Sequence, residues 1–357
     1  MTVLLRTYMA RAFQELDMPT LFLASFFKSG DQDKFPGVIV KVDSVRGKEE
    51  YAIDVIPYSG SRGNKITLFT RKEYAPPAYD ESAYLTAEEL ATVQPGRTEY
   101  NRTVDLANMI VNRQKILRNK IWRAKEMLCR DALILGKITL RNGDVIDFKQ
   151  RAELQYTTPA DWTNSTTDAL SDFSVIGGRI RKYGVKPLKD AIFGETALQK
   201  FLNNAAVKSQ ADIKKYERAA ITSPIAKEDG ADYHGTFSAG SYNVNIWSYP
   251  QVVGIPMGFG LPNEGTKQPY IPADKVICLG ADPDFRLFYA ANAVLADPVS
   301  AELMGMTGLP MLPSLVPGEM QPYFILDERH ASVEIGIRSR PLPVPVGIGE
   351  FGIMTVT

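Results

Sequence analysis

The feature that most constrains the fold is a long apolar stripe between Asn101 and Leu135. Its members recur at steps of three or four residues or their sums, and they are Val104, Ala107, Val111, Leu117, Ile121, Ala124, Leu128, Ala132 and Leu135. This spacing puts one apolar face along an α-helix, whose length would be roughly 50 Å at 1.5 Å per residue. Gly136 is suited to end the helix, because glycine readily adopts the left-handed conformation at that position.

The remaining faces of this predicted helix carry many basic side chains. They are Arg113, Lys115, Arg118, Lys120, Arg123, Lys125 and Arg130, with Glu126 and Asp131 as partial counterweights. Two interpretations stay open. Either these side chains form a solvated face, or the helix faces nucleic acid or acidic neighbours.

A hairpin signal follows the helix directly. The run from Ile138 to Phe148 has alternating apolar residues on both sides of Asn142-Gly143. An Asn-Gly pair favours a two-residue turn, because both turn positions require positive φ. The sequence therefore predicts two short antiparallel strands here.

Between Gly37 and Phe69, ahead of the helix, the apolar pattern has period two. The clearest runs are residues 38–43, 51–56 and 65–70, and the turn-rich segment 58–64 precedes the last of them. Such alternation predicts antiparallel strands joined by a mobile tip.

Two apolar clusters, residues 3–5 and 21–27, lie near the start of the chain. Terminal clusters of this kind fray unless they dock on something. Two interpretations are equally open: a helix packed on its own domain, or an arm that buries its aromatic side chains on a neighbouring chain.

The second half of the chain has the pattern of a mixed α+β domain. The predicted elements are helices at 168–183 and 195–204, strands at 188–193, 242–249 and 275–279, and a loop at 254–272. Residues 332–357 return to alternation, which predicts a terminal strand pair that completes an earlier sheet.

Composition limits the classes of function. The chain has 357 residues, which favours about two domains, and 41 basic residues balance 41 acidic ones. That balance argues against a protein that wraps nucleic acid, which needs an excess of clustered Lys and Arg. The two histidines lie far from either cysteine, and neither a phosphate-binding loop nor a nucleophile elbow is present. We therefore expect a protein that is not an enzyme and that binds no cofactor or metal.

Cellular location follows from similar features. Cys129 and Cys278 are far apart and are predicted to be buried free thiols in a reducing compartment. No apolar run reaches the roughly 20 residues that span a membrane, and the first residues do not have the pattern of a signal peptide. We expect synthesis in the cytoplasm without membrane contact.

Four segments carry a resemblance to a known family. They are residues 18–27 (MPTLFLASFF), 69–77 (FTRKEYAPP), 110–148 and 271–280 (IPADKVICLG). In these segments and in their order the chain resembles the lambda-like major capsid proteins of tailed phages, the major capsid protein E family, which have the Hong Kong 97-type fold. The similarity spans nearly the whole chain, and residues 254–265 and 305–317 depart from the family pattern.

The resemblance implies an α+β capsid subunit with four parts. These would be an N-terminal arm (1–35), an extended two-stranded loop (36–70), a peripheral domain with a long spine helix (71–155 and 331–357), and an axial domain (156–330). The implied function is self-assembly into hexamers and pentamers of an icosahedral shell around double-stranded DNA.

The arm and the extended loop would then lie on neighbouring subunits. The residues expected at those contacts are Leu21, Phe22, Phe26, Phe27, Val40, Ile53, Arg62 and Lys65. Further implied partners are a portal, a scaffold or protease, a decoration protein, and packaged DNA in weak non-specific contact. The expected location is the virion, after assembly in the host cytoplasm. A structural or adaptor protein that forms a small oligomer remains the alternative.

Overall fold

The structure is a computed structural model of the chain. It describes residues 21–44, 70–86, 99–164, 166–212, 219–226, 230–258, 263–296, 312–327 and 332–357. Ile53, Arg62 and Lys65 lie outside the described residues, as do the apolar cluster 3–5 and most of the predicted extended loop.

Three helices of the described residues, at 99–134, 169–184 and 195–203, correspond to the predicted ones, and the helix at 205–212 was not predicted. The described helices are α1 (Phe22–Ser25), α2 (Glu99–Ile134), α3 (Ala169–Gly184), α4 (Glu195–Asn203) and α5 (Ala205–Asp212). The long helix α2 is confirmed, and Gly136 has a positive φ of 63° directly after it. Asp168 caps α3 by accepting a hydrogen bond from the backbone N–H of Leu170.

The strands are numbered in chain order. They are β1 (Val40–Ser44), β2 (Thr70–Tyr74), β3 (Tyr79–Thr86), β4 (Lys137–Thr139), β5 (Val145–Asp147), β6 (Gln155–Thr157), β7 (Leu188–Phe193), β8 (Ala219–Ala226), β9 (Asp232–Ala239), β10 (Tyr242–Ser248), β11 (Val252–Gly254), β12 (Lys267–Pro269), β13 (Lys275–Gly280), β14 (Phe285–Tyr289), β15 (Asn292–Ala296), β16 (Leu312–Val316), β17 (Gln321–Asp327), β18 (Ser332–Ser339), β19 (Pro341–Pro345) and β20 (Phe351–Thr355). The predicted 254–272 loop therefore contains the short strand β12, which pairs with β11.

The largest sheet of the described residues has seven strands in the order β6-β20-β13-β7-β10-β9-β8. Its middle strands are apolar on both faces, because each face is covered. On β13, Val276 and Cys278 pack with α3 and α4, whereas Ile277 and Leu279 pack with α2 and the N-terminal segment. This two-sided burial explains why these strands are continuous apolar runs in the sequence.

A separate three-stranded sheet, β17-β18-β3, packs against α2. Ile335 of β18 meets Ile110 of the helix, and Ile337 meets Leu117 and Ile121. The residues of β18 therefore cover part of the predicted apolar stripe, at Leu117 and Ile121, together with Ile110, which lies outside the predicted stripe.

The carboxyl-terminal segment differs from its prediction. Residues 332–339 and 351–355 do not pair with each other: β18 pairs with β17 and β3, and β20 pairs with β13 and β6. The predicted peripheral segment 331–357 is thus divided between two sheets. Residues 321–327, predicted as axial, belong to the sheet on α2.

The hairpin after α2 is confirmed, but its turn is not the predicted one. Only Gly143 has a positive φ, of 90°, and Asn142 does not. The N–H of Gly143 donates to the carbonyl oxygen of Leu140 at 3.0 Å, and the N–H of Leu140 donates to that of Asp144 at 2.8 Å. One left-handed glycine after an ordinary turn is the arrangement of a longer hairpin loop with a bulge.

Candidate assembly surfaces

The N-terminal segment from Leu21 to Lys28 is attached to α2 through one buried carboxylate. Glu126 has no exposed surface, and its two oxygens accept hydrogen bonds from the backbone N–H groups of Leu23 at 2.8 Å and Ala24 at 2.9 Å. These donors belong to the first turn of α1, whose N–H groups have no partner within the helix. The carboxylate therefore caps α1 from a distant part of the chain.

Aromatic packing completes this attachment. The ring of Phe22 lies 5.4 Å from that of Tyr249 and 5.6 Å from that of Trp247, and the ring of Phe27 lies 5.2 Å from that of Phe285. Beyond Phe27, the N–H of Lys28 donates to the carbonyl oxygen of Phe285 at 2.9 Å. The segment is thus bound to its own subunit by both side chains and backbone.

This geometry corrects part of the contact prediction. Phe22, Phe27 and Val40 are buried in the core of their own chain, and Val40 is 0% exposed. Their apolar surface is buried within their own subunit. This agrees with the interpretation in which the N-terminal cluster packs on its own domain. Leu21 and Phe26 are only half-buried and keep surface that a neighbour can cover.

Burial also shifts the acidity of the groups at this attachment. Desolvation raises the pKa of Glu126 above its ordinary value, although the hydrogen bonds from Leu23, Ala24 and Tyr249 and the charge of Lys125 act in the opposite direction. The same burial, with the nearby Glu126, raises the pKa of Tyr249. The Glu126 carboxyl group and the Tyr249 phenol thus form a buried polar contact between α2 and the residue that follows β10.

A second buried polar contact lies one residue before Glu126 on α2. Lys125 Nζ lies 2.8 Å from Glu319 Oε1, which also accepts a hydrogen bond of 2.8 Å from the Tyr289 hydroxyl. Burial raises the pKa of Glu319, but the charge of Lys125 and the hydrogen bonds from Lys125 and Tyr289 outweigh it, so the pKa lies below its ordinary value.

The basic faces of α2 are therefore smaller than the sequence suggested. Arg118 and Lys125 are buried, whereas Lys115, Lys120 and Arg123 are exposed. Leu135, assigned to the apolar stripe, is exposed. The sequence pattern did not predict that Arg118 and Lys125 are buried, because Arg and Lys are usually exposed to solvent.

Several exposed apolar side chains were missed by the sequence analysis. Tyr84 is 56% exposed and Ile325 is 46% exposed, and both are register partners of Glu334 on the outer face of the three-stranded sheet. Alternation in β3 and β17 could have revealed them, because a strand covered on one face leaves every second residue outside. Val38, Ile39 and Met257 are exposed on other elements.

The described residues offer little for chemistry. His234 Nε2 lies 2.8 Å from Ser248 Oγ, and desolvation lowers the pKa of the imidazole against the opposing charge of Asp232. Among the residues described, no group of three or more His, Cys, Asp or Glu side chains is placed to hold a metal ion. Cys129 and Cys278 are buried free thiols, as predicted.

Over the described ranges, no helix is both long enough and apolar enough to cross a membrane.

Comparison with solved structures identifies the class of fold. A prophage capsid protein from E. coli CFT073 superposes with a TM-score of 0.61 at 13% identity, covering 100% of this chain and 99% of that one. A phage-related protein from Bordetella bronchiseptica RB50 superposes with a TM-score of 0.49 at 10% identity, covering 97% of this chain and 95% of that one. A chain from the procapsid of satellite phage P4 superposes with a TM-score of 0.42 at 9% identity, and 99% of each chain is covered. The fold is α+β and is that of phage capsid subunits of the Hong Kong 97 type.

The sequence identifies the family. The family described as phage major capsid protein E matches residues 6–356, nearly the whole chain. No curated protein matches the chain. The chain belongs to the phage major capsid protein E family, and it is a shell-forming structural protein of the virion.

Proposed function

We propose that this protein assembles into hexamers and pentamers of a closed icosahedral shell around double-stranded DNA. The observation that carries the proposal is the match to the phage major capsid protein E family over residues 6–356. Assembly would take place in the host cytoplasm. A portal, a scaffold or protease, and a decoration protein are the expected partners.

The surface of the subunit supports contacts on several sides. Exposed apolar side chains occur before β1 (Ile39), on the outer sheet (Tyr84 and Ile325), on α2 (Ile116) and after β11 (Met257). Isolated exposed apolar residues are ordinary, but such residues on separate elements suit a subunit with several neighbours.

The arm of the proposed subunit is shorter than the sequence suggested. Residues 21–35 pack on their own chain through α1 and two strand-like bridges, Lys28 with Arg286 and Lys34 with Tyr289. We therefore assign the arm that reaches a neighbour to residues 1–20. The extended loop, residues 36–70, would contact the neighbour through residues beyond the buried stem that contains Val40.

Contact with DNA is proposed to be weak. The chain has no net charge, and α2 contributes fewer exposed cations than its sequence offers, because Arg118 and Lys125 are buried. Binding to phosphates depends on exposed cations. Such a shell would form empty and be filled by a motor, and the isolated subunit would bind duplex DNA near the ~10⁻⁴ M end of non-specific affinities.

The test is expression of the full chain, followed by mass photometry, electron microscopy and measurement of the nucleic-acid content after nuclease treatment. Closed particles that contain no nucleic acid support the proposal. A discrete small oligomer would favour the adaptor alternative, and shells that form only with DNA or RNA would contradict motor filling.

A further inference from the structure

The tip of the β4–β5 hairpin contains the one Asn-Gly pair in the sequence, Asn142-Gly143. Residues 141–145 are exposed to solvent, whereas Ile138 and Ile146, which pair with each other at the base of the hairpin, are buried in the core. The pair is therefore in contact with water on a firmly packed support. A reaction at the tip does not require the core to open.

An asparagine that precedes glycine can lose ammonia without an enzyme. The backbone nitrogen of the glycine forms a bond to Cγ of the asparagine, the Cγ–Nδ2 bond breaks, and the amide proton leaves with the amino group as ammonia. Water then opens the cyclic imide. Breaking the new bond to Cγ gives aspartate, and breaking the bond to the main-chain carbonyl carbon gives isoaspartate.

The surroundings of Gly143 do not shield its nitrogen from this reaction. Glycine has no Cβ beside the attacking atom. A Cβ built at Gly143 would meet nothing within 4 Å, so no neighbouring group crowds the position either. Space at the tip is thus sufficient for the ring to close.

The turn nevertheless binds every group that has to react. The N–H of Gly143 donates to the carbonyl oxygen of Leu140 at 3.0 Å. The side-chain amide of Asn142 is held at both ends by Asp144: its Oδ1 accepts from the backbone N–H of Asp144 at 3.1 Å, and its Nδ2 donates to Oδ2 of Asp144. These hydrogen bonds direct the amide towards Asp144 and must break before the ring can form. The closed turn therefore slows the reaction.

We propose that Asn142-Gly143 is a site of spontaneous modification to isoaspartate and aspartate, restrained while the turn is closed and reactive when the turn opens. An exposed tip opens at a lower free energy than the whole subunit unfolds. Isoaspartate lengthens the main chain by one carbon atom and adds a carboxylate beside Asp144, so the turn cannot close again in the same geometry. The modification is one-way and accumulates with the time that the turn spends open.

The first experiment identifies the site and the chemistry. The purified full-length chain is incubated at mildly alkaline pH in heavy-oxygen water and digested in ordinary water, so that later artefacts carry no label. Mass spectrometry with electron-transfer fragmentation should find labelled isoaspartate and aspartate at position 142. Asn243 and Asn263 are exposed internal controls, and they should react about tenfold less or slower still, because Val244 and Glu264 shield the attacking nitrogen. No labelled product at Asn142, or equal conversion at the controls, would overturn the proposal.

The second experiment tests the restraint by the turn. Asp144→Ala removes the acceptor of Asn142 Nδ2 and should speed the reaction about threefold or more. Asp147→Ala makes the same change in charge at an exposed position of the same hairpin, where the carboxylate accepts from the N–H of Lys149, and should leave the rate almost unchanged. A slower reaction in Asp144→Ala, or the same increase in both variants, would contradict the restraint.

Unfolding in urea provides the last comparison. The wild-type chain should react about tenfold faster or more when unfolded, since every hydrogen bond of the turn is then broken. The difference between wild type and Asp144→Ala should disappear under the same conditions. Equal rates in the folded and unfolded chains would show that the turn does not restrain the site. All three measurements use the unassembled subunit, so their outcome does not depend on whether shells form.

Discussion

The carboxylate of Glu126 accepts a hydrogen bond of 2.8 Å from the backbone N–H of Leu23, although the two residues are 103 positions apart in the chain. One side chain in the long helix thereby fixes the start of the described N-terminal segment. A buried hydrogen-bond donor or acceptor without a partner lowers stability by about 1–3 kcal/mol. Loss of either the carboxylate or the N-terminal segment would leave the other without its partner.

Replacing Glu126 tests that dependence. We expect Glu126→Ala to lower the free energy of unfolding of the subunit by about 2 kcal/mol or more at pH 7, since Leu23 and Ala24 lose their acceptors. Urea unfolding of the unassembled subunit measures the change. A loss below about 0.5 kcal/mol would show that water replaces the carboxylate.

Glu126→Gln tests the charge by its pH dependence. The raised pKa means that the folded subunit holds this proton more tightly than the unfolded chain does. That stability is fully present below the ordinary pKa of 4.5 and is lost as the pH rises through the folded value. The stability of wild type relative to Glu126→Gln should therefore decrease as the pH rises above about 4.5. A difference that is constant with pH would contradict the raised pKa.

Two truncations separate an arm from a core segment. Deleting residues 2–20 should prevent shells while changing the free energy of unfolding by less than about 1 kcal/mol. Deleting residues 2–28 should unfold the subunit, because Phe22, Leu23 and Phe27 are buried and each contributes about 1.5–3 kcal/mol. Thermal unfolding followed by circular dichroism measures the stability of both variants, and electron microscopy shows whether each forms shells. Normal shells from the shorter deletion would show that residues 2–20 are not needed for assembly.

Neighbouring residues at the base of the extended loop offer another contrast. Val40 is 0% exposed and Ile39 is 49% exposed. We expect Val40→Asp to lower the free energy of unfolding by about 3 kcal/mol or more, because an unpaired charge enters the core. Ile39→Asp should change it by about 0.5 kcal/mol at most. Similar unfolding midpoints for the two variants would place Val40 outside the subunit core.

What could be predicted from the sequence was local. The stripe from Leu117 to Leu128 and the buried strand 188–193 depend on residues close in the chain, and both are observed. The pairing of β20 with β13 joins distant residues, such as Lys275 and Thr355, which are 80 positions apart, and alternation specifies no partner. The burial of Lys125 and Glu126 within the subunit was not predicted, because their partners Glu319 and Leu23 come from distant segments.

Adjacent glycines in α3 give the last prediction, with its own control. A Cβ on Gly177 would lie 2.8 Å from the ring of Tyr242, whereas one on Gly178 would meet nothing within 4 Å. Gly177→Ala should lower the free energy of unfolding by about 1–3 kcal/mol, because the buried tyrosine must shift. Gly178→Ala should raise it by about 0.5–1 kcal/mol, since alanine loses less backbone freedom than glycine in a helix. Urea unfolding of the two variants measures the change in the free energy of unfolding for each. If both substitutions are stabilising, α3 and β10 pack less closely than in the structure.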